Sequence, residues 1–197
     1  MELSTGIRER TRRAIQREIG EAALALFLER GYDNTTIADV AAAVGMSQRS
    51  VFRYFRTKEE IVVSKMDLVV EPMQEVLRAR PPDEPVWVSL RRLFFMLDQP
   101  DTPKTAEQTH RIILETPALL AAYLGKLQQM QEAVVDVVYE RAAAIGKPYT
   151  VDDPAPRALM AAAFGCLVAA QHSWLASGTG TLGEAIDRAM ATLAPQA

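Results

Sequence analysis

Residues Thr36 to Lys58, TIADVAAAVGMSQRSVFRYFRTK, constrain this chain more than any other stretch. They read as two short helices held together by a tight turn. Thr36 can cap the first, with Asp39 three residues on, close to capping-box spacing. Ile37, Val40, Ala41 and Val44 then fall on one face at helical spacing. Ala41 is small enough to let a second helix come close. Gly45 suits a left-handed residue where the first helix ends, and Ser47 can cap the second. Val51, Phe52 and Phe55 give the second helix an apolar side, leaving Gln48, Arg49, Arg53 and Tyr54 for its other faces. This is the layout of a helix-turn-helix, whose second helix enters the major groove of DNA.

The side-chain chemistry fits that reading. Arg49 can offer two donors to guanine O6 and N7, and Gln48 can pair with adenine N6 and N7. Ser47, Ser50, Tyr54 and Lys58 are the right types for phosphate oxygens. The plainer reading is a surface helical hairpin with solvated arginines.

The longer string TTIADVAAAVGMSQRSVFRYFRTKEEIV resembles the N-terminal signature of the TetR family of transcriptional regulators. The resemblance is close from about Thr11 to Val63; beyond that it extends to length and helical character only. It implies an all-helical homodimer. Each subunit would have a three-helix DNA-binding domain and a C-terminal domain that binds a small molecule. Carried over by position, Thr36, Ser47, Tyr54 and Lys58 become phosphate contacts, and Gln48, Arg49, Ser50 and Phe52 become base-edge contacts. The family usually has tyrosine where this chain has Phe52. A phenolic hydroxyl contact is thereby lost, although Phe52 can still touch a thymine methyl.

Charge distribution supports a DNA-binding head. The net charge is only −3, so overall balance does not announce nucleic acid. But Arg49, Arg53, Arg56 and Lys58 crowd one short stretch without an acid. Arg8, Arg10, Arg12, Arg13 and Arg17 outnumber the acids near the N-terminus, and the chain beyond Lys58 carries an acidic excess. Residues 1–10 read as a flexible basic arm that either is simply disordered or touches phosphate or the minor groove.

The rest of the chain reads as helices. The first runs from about Thr11 to Arg30, with Ile15, Ile19, Ala22, Ala23, Leu26 and Phe27 as its buried stripe and Gly31 as its stop. Thr57 with Glu60 is a second capping-box pair. It starts a helix from Lys58 towards Arg80, which Pro72 should kink or end. Further helices are expected from Pro85 to Leu97, Thr105 to Glu115, Pro117 to about Ile145, Asp153 to Ser177, and from Thr181 to before Pro195. The predicted fold is therefore all-α, with about nine helices. Residues 1–57 would form the helix-turn-helix domain, and residues 58–197 a helical bundle for ligand binding and dimerisation.

Apolar content of 49% is enough for a sizeable core. The single cysteine, Cys166, excludes an internal disulfide and any cysteine-rich zinc site. No signal-peptide core is visible near Met1. The apolar run from Ala158 to Ala170 is too short to span a bilayer, so a soluble cytoplasmic protein without a membrane partner is expected. Gly178 to Gly183 spells GxGxxG, but it follows a helix rather than a strand and reads as a loop. His110 and His172 have no partner at metal-ligand spacing, and no cofactor, metal or catalytic set is expected.

Ala161, Gly165 and Ala169 lie four apart, a small-residue ridge that suits either packing within the bundle or a homodimer seam. The resemblance places that seam on the last two helices and a ligand pocket in the bundle. Candidate lining residues are Phe95, Met96, His110, Arg111, Tyr123, Phe164, Gln171 and Trp174. The expected function is a regulator, most simply a repressor. As a homodimer it would bind a near-palindromic double-stranded DNA operator and be released by a small, largely apolar effector of unknown identity. The competing readings are a helical interaction protein or a small-molecule enzyme without specific DNA binding.

Overall fold

The protein was analysed as a computed structural model, which describes residues 2–95 and 104–193. Ten α-helices and one short 3-10 turn make up the regular structure there, with no strand among the described residues. They are α1 (Glu2–Arg30), α2 (Ile37–Ala43), α3 (Gln48–Phe52), α4 (Lys58–Val63), α5 (Asp67–Ala79), α6 (Val86–Phe95), α7 (Lys104–Glu115), α8 (Pro117–Ala144), α9 (Ala155–Ser177) and α10 (Leu182–Thr192).

Two sequence expectations need correction. The basic arm is helical, since α1 begins at Glu2 rather than Thr11. The helix expected from Lys58 to Arg80 is broken at Ser64–Met66, not at Pro72. Ser64 Oγ donates to the Ile61 carbonyl at 2.8 Å, a back-bond that loosens the helical ladder where the 3-10 turn begins. Pro72 instead rides inside α5 on an exposed face, where the carbonyl that loses its donor can take water. The chain divides into two compact units, one of residues 1–68 with 112–123, the other of residues 69–111 with 124–197. The N-terminal unit therefore runs past Thr57 and takes in a later segment.

The first unit is organised by a single core. Ile19, Ala23, Leu26 and Phe27 of α1 meet Val40 and Ala41 of α2, Val51 of α3, Phe55, Ile61 of α4 and Leu119. Tyr32 closes the core, its ring edge-on to Phe27 at 5.2 Å. The predicted stripe of α1 is the one buried, because only that face can remove enough apolar surface to hold such short helices in place.

In the second unit α9 packs on α10 and α6, and α10 on α6. Phe94 and Phe164 are fully buried and meet edge to face at 5.1 Å. The Trp87 indole donates to the Met190 carbonyl at 3.2 Å, tying α6 to α10. Helix α9 is long and apolar enough, by length and composition, to cross a membrane, yet one of its faces lies in this core.

Between α5 and α6 sits a polar node absent from the sequence reading. Arg141 of α8 is buried and donates to Leu77 O (3.0 Å), Ser89 Oγ (2.9 Å), Pro81 O (2.7 Å) and Glu84 O (3.2 Å). Beside it the Glu84 carboxylate takes both arms of Arg80 and the Ser89 hydroxyl. These donors hold the Glu84 pKa down at about 2, against 4.5 for an ordinary glutamate. A depressed carboxylate stabilises the fold above its unfolded pKa and loses that contribution as pH falls through its folded one. Stability should therefore drop between about pH 4.5 and pH 2. Glu84→Gln should flatten that limb in unfolding curves recorded across the window, and an equally steep limb in the variant would assign the drop to other groups.

Candidate nucleic-acid interface

Both short helices of the motif are fixed at their starts by side chains. Thr36 caps α2 in a full capping box: its hydroxyl accepts from Asp39 N, and Asp39 Oδ2 accepts from Thr36 N at 2.8 Å. Ser47 Oγ accepts from Ser50 N at 3.1 Å and shares a proton with Ser50 Oγ at 2.8 Å. Gly45 between them has φ of +65°, a conformation that side chains rarely adopt, and its amide reaches back to Ala42 O. Ala41 is buried where α2 and α3 meet. Thr57 caps α4 through Glu60 N, while Glu60 turns its carboxylate to Arg56 N rather than completing a capping box.

The i,i+4 pair Val51 and Phe55 is the part of α3 and its exit turn that enters the core. Phe52, expected on the same apolar side, is 46% exposed. It stands with Gln48 and Arg49 on the outer side of α3. Among the described residues Gln48 and Arg49 carry no hydrogen bond or ion pair, so their donors are available to a ligand. Ser50 and Tyr54 are half-buried.

Two expected phosphate contacts are differently placed. The Thr36 hydroxyl gives its proton to Asp39 Oδ2 at 2.5 Å, so donating to a phosphate means exchanging that bond. Lys58 is held inward. Its ammonium donates to Tyr32 O at 2.8 Å and Thr35 O at 3.3 Å, and it sits 3.8 Å from the Tyr32 ring centroid. One of its three donors remains for a phosphate. The Tyr32 hydroxyl in turn donates to Glu59 Oε1, and burial beside that carboxylate pushes the Tyr32 pKa up. Tyr32, Lys58 and Glu59 thus clasp the α1–α2 turn to the start of α4. The clasp spans 26 and 27 residues, beyond any local pattern.

The proposed ligand residues are scattered more widely. His110 and Trp174 meet edge to face at 5.8 Å. Phe164 and Gln171 are buried on α9. Arg111 is paired with Glu107 at 3.1 Å, one turn back on α7. Tyr123 is buried in the other compact unit. Met96 and the side chain of Phe95 lie outside the described residues. Cys166 is buried, and burial raises its thiol pKa, as for a core side chain. Gly178 is the left-handed cap of α9 and Thr181 caps α10, so the GxGxxG string is a helix-to-helix turn.

Residues 19–64 match the family model described as bacterial regulatory proteins, tetR family. Residues 84–197 match the model described as the MftR C-terminal domain. The chain is 28% identical over 144 residues to the HTH-type transcriptional regulator TcmR of Streptomyces glaucescens, a match covering 69% of this chain and 64% of TcmR. It is 25% identical over 182 residues to MftR of Mycobacterium tuberculosis, a regulator named for mycofactocin biosynthesis, covering 91% of this chain and 89% of that one. Among solved structures it is similar to the fatty acid degradation regulator FadR of Bacillus halodurans, with TM-score 0.64, 18% identity and 92% and 98% of the two chains covered. It is also similar to FadR of Bacillus subtilis in complex with stearoyl-CoA, with TM-score 0.60, 17% identity and 91% and 97% covered.

Proposed function

Because the chain belongs to the TetR family of transcriptional regulators, we propose that it is a repressor that reads its operator through the outer side of α3. The observation that carries this is the pairing of Gln48 and Arg49, both without partners among the described residues, on a helix whose position is fixed by Val51, Phe55 and the Ser47 cap. Two subunits would place their α3 helices in successive major grooves, about 34–36 Å apart, on a near-palindromic site. Arg49 and Gln48 read base edges, Phe52 meets a thymine methyl, and Ser47, Ser50 and Tyr54 line the phosphates. Thr36 and Lys58 contribute by exchanging or extending the bonds they already make.

The C-terminal bundle is the dimerisation and effector-binding part. Ala161, Gly165 and Ala169 are all exposed on one face of α9 in the single chain, which supports a seam between copies over internal packing. Buried aromatics such as Phe94 and Phe164 favour an apolar effector, in keeping with a solved relative that binds stearoyl-CoA. Release requires that the effector prefer a conformation in which the two α3 helices no longer match the grooves, and a coupling of about 1–3 kcal/mol suffices for roughly 5–150-fold release.

Arg49→Ala tests the base reading. A good bidentate contact is worth about 1–3 kcal/mol of discrimination, so the variant should lose roughly 5–150-fold of its preference for a selected over a scrambled duplex in a gel shift. Retention of the wild-type preference would move base reading to other residues.

A further inference from the structure

Resting on the DNA-binding reading, we propose that Arg8 and Arg12 of α1 and Arg53 after α3 form a second, separate contact that holds a backbone phosphate of the operator. The three line a cleft of about 330 Å³ together with Ile7, Ile15 and Tyr54. Arg8 and Arg12 are one helical turn apart and so neighbours on one face of α1. Arg53 directly follows Phe52, the last residue of α3, which brings it to the same cleft from the other side. All three side chains are exposed, and among the described residues no carboxylate lines the cleft and none of the three has an ion-pair or hydrogen-bond partner.

In the other compact unit, by contrast, several arginines have carboxylate partners. Arg78 pairs with Glu140, Arg80 with Glu84, Arg91 with Asp187, Arg111 with Glu107 and Arg157 with Glu132. Three like charges gathered without a counter-charge repel one another and draw an anion into the space between them. Guanidinium groups match phosphate oxygens with paired donors. The Tyr54 hydroxyl adds a further donor, and Thr11, also lining the cleft, has its own hydroxyl turned to Ile7 O. Because Arg53 abuts the helix that enters the major groove, the anion in this cleft is the sugar–phosphate strand bordering that groove. The inward turn of Lys58 makes the cleft a principal source of phosphate neutralisation on this head. The helical course of α1 from Glu2 gives Arg8 and Arg12 a fixed register that a flexible arm would lack.

The test is a salt series of gel shifts on two duplexes, one recovered by selection from random sequence with the wild-type protein and one scrambled. It compares wild type, the Arg8→Gln/Arg12→Gln double variant, Arg53→Gln and the Arg8→Lys/Arg12→Lys double variant. Each phosphate contact contributes about −0.9 to the slope of log K against log salt concentration. The glutamine variants should lower the steepness by about 1–2 and weaken both duplexes equally, while the lysine variant stays near wild type. Circular dichroism and the unfolding midpoint confirm that each variant is folded. An unchanged slope in the glutamine variants, with wild type still specific, overturns the cleft and leaves the regulator reading standing. A changed sequence preference at unchanged slope assigns these arginines to base reading and also overturns it. Wild type without salt-sensitive binding to either duplex overturns both.

Discussion

Arg141→Met is expected to cost about 1–3 kcal/mol of folding stability, the range for a buried polar group that loses its hydrogen-bond donor. The guanidinium satisfies the carbonyls of Leu77, Pro81 and Glu84 and the hydroxyl of Ser89 at once. Methionine fills similar volume but donates nothing. Leu77 O keeps the Arg80 amide at 3.4 Å, Pro81 O keeps the Glu84 amide at 3.1 Å and the Ser89 hydroxyl keeps Glu84 Oε2, so the loss falls mainly on the Glu84 carbonyl, at about 1–3 kcal/mol where water cannot reach it. Glu84 keeps Arg80, so the damage centres on the α5–α6 connection rather than on an unpaired carboxylate. Arg141→Lys should fall between the two, because an ammonium has three donors and no planar fork. Urea unfolding at one fixed protein concentration measures this. A loss below about 1 kcal/mol in the methionine variant would mean that water replaces the guanidinium and that the node does not organise the loop.

The second large effect concerns assembly. Gly165→Arg should leave the subunit folded, because a Cβ there meets nothing within 4 Å and the residue lies mid-helix with ordinary backbone geometry. If the α9 ridge is the dimer seam, however, the long charged side chain blocks the close approach that Ala161, Gly165 and Ala169 allow. Sedimentation should then show monomers with native helicity. Operator affinity should fall by about a hundred- to ten-thousand-fold, the advantage that linking two binding heads supplies. A Gly165→Arg protein that remains dimeric and binds its operator normally would put the seam on another face.

The head was legible in the sequence because its signals are local. The Thr36 and Ser47 caps, the Gly45 turn and the Val51–Phe55 pair act within a few residues, and each is found where its spacing put it. The buried stripe of α1 was legible for the same reason. Helix ends were less so. The α1 start moved from Thr11 to Glu2, and Pro72 seemed a stronger break than Ser64 because a proline is conspicuous while a serine back-bond is not.

By itself, then, the sequence determined the all-helical class, the helix-turn-helix and the outward placement of Gln48 and Arg49, though not of Phe52, since periodicity and capping are written in neighbouring letters. Only the tertiary structure decided which cations are available and which are engaged. Arg49 and Arg53 point to solvent, Lys58 is folded back onto carbonyls 23 and 26 residues away, and Arg141 is buried against acceptors 52–64 residues away. Nothing adjacent to these cations distinguishes one fate from another. Whether a basic side chain meets water, a carbonyl or a neighbouring carboxylate depends on what the fold brings beside it.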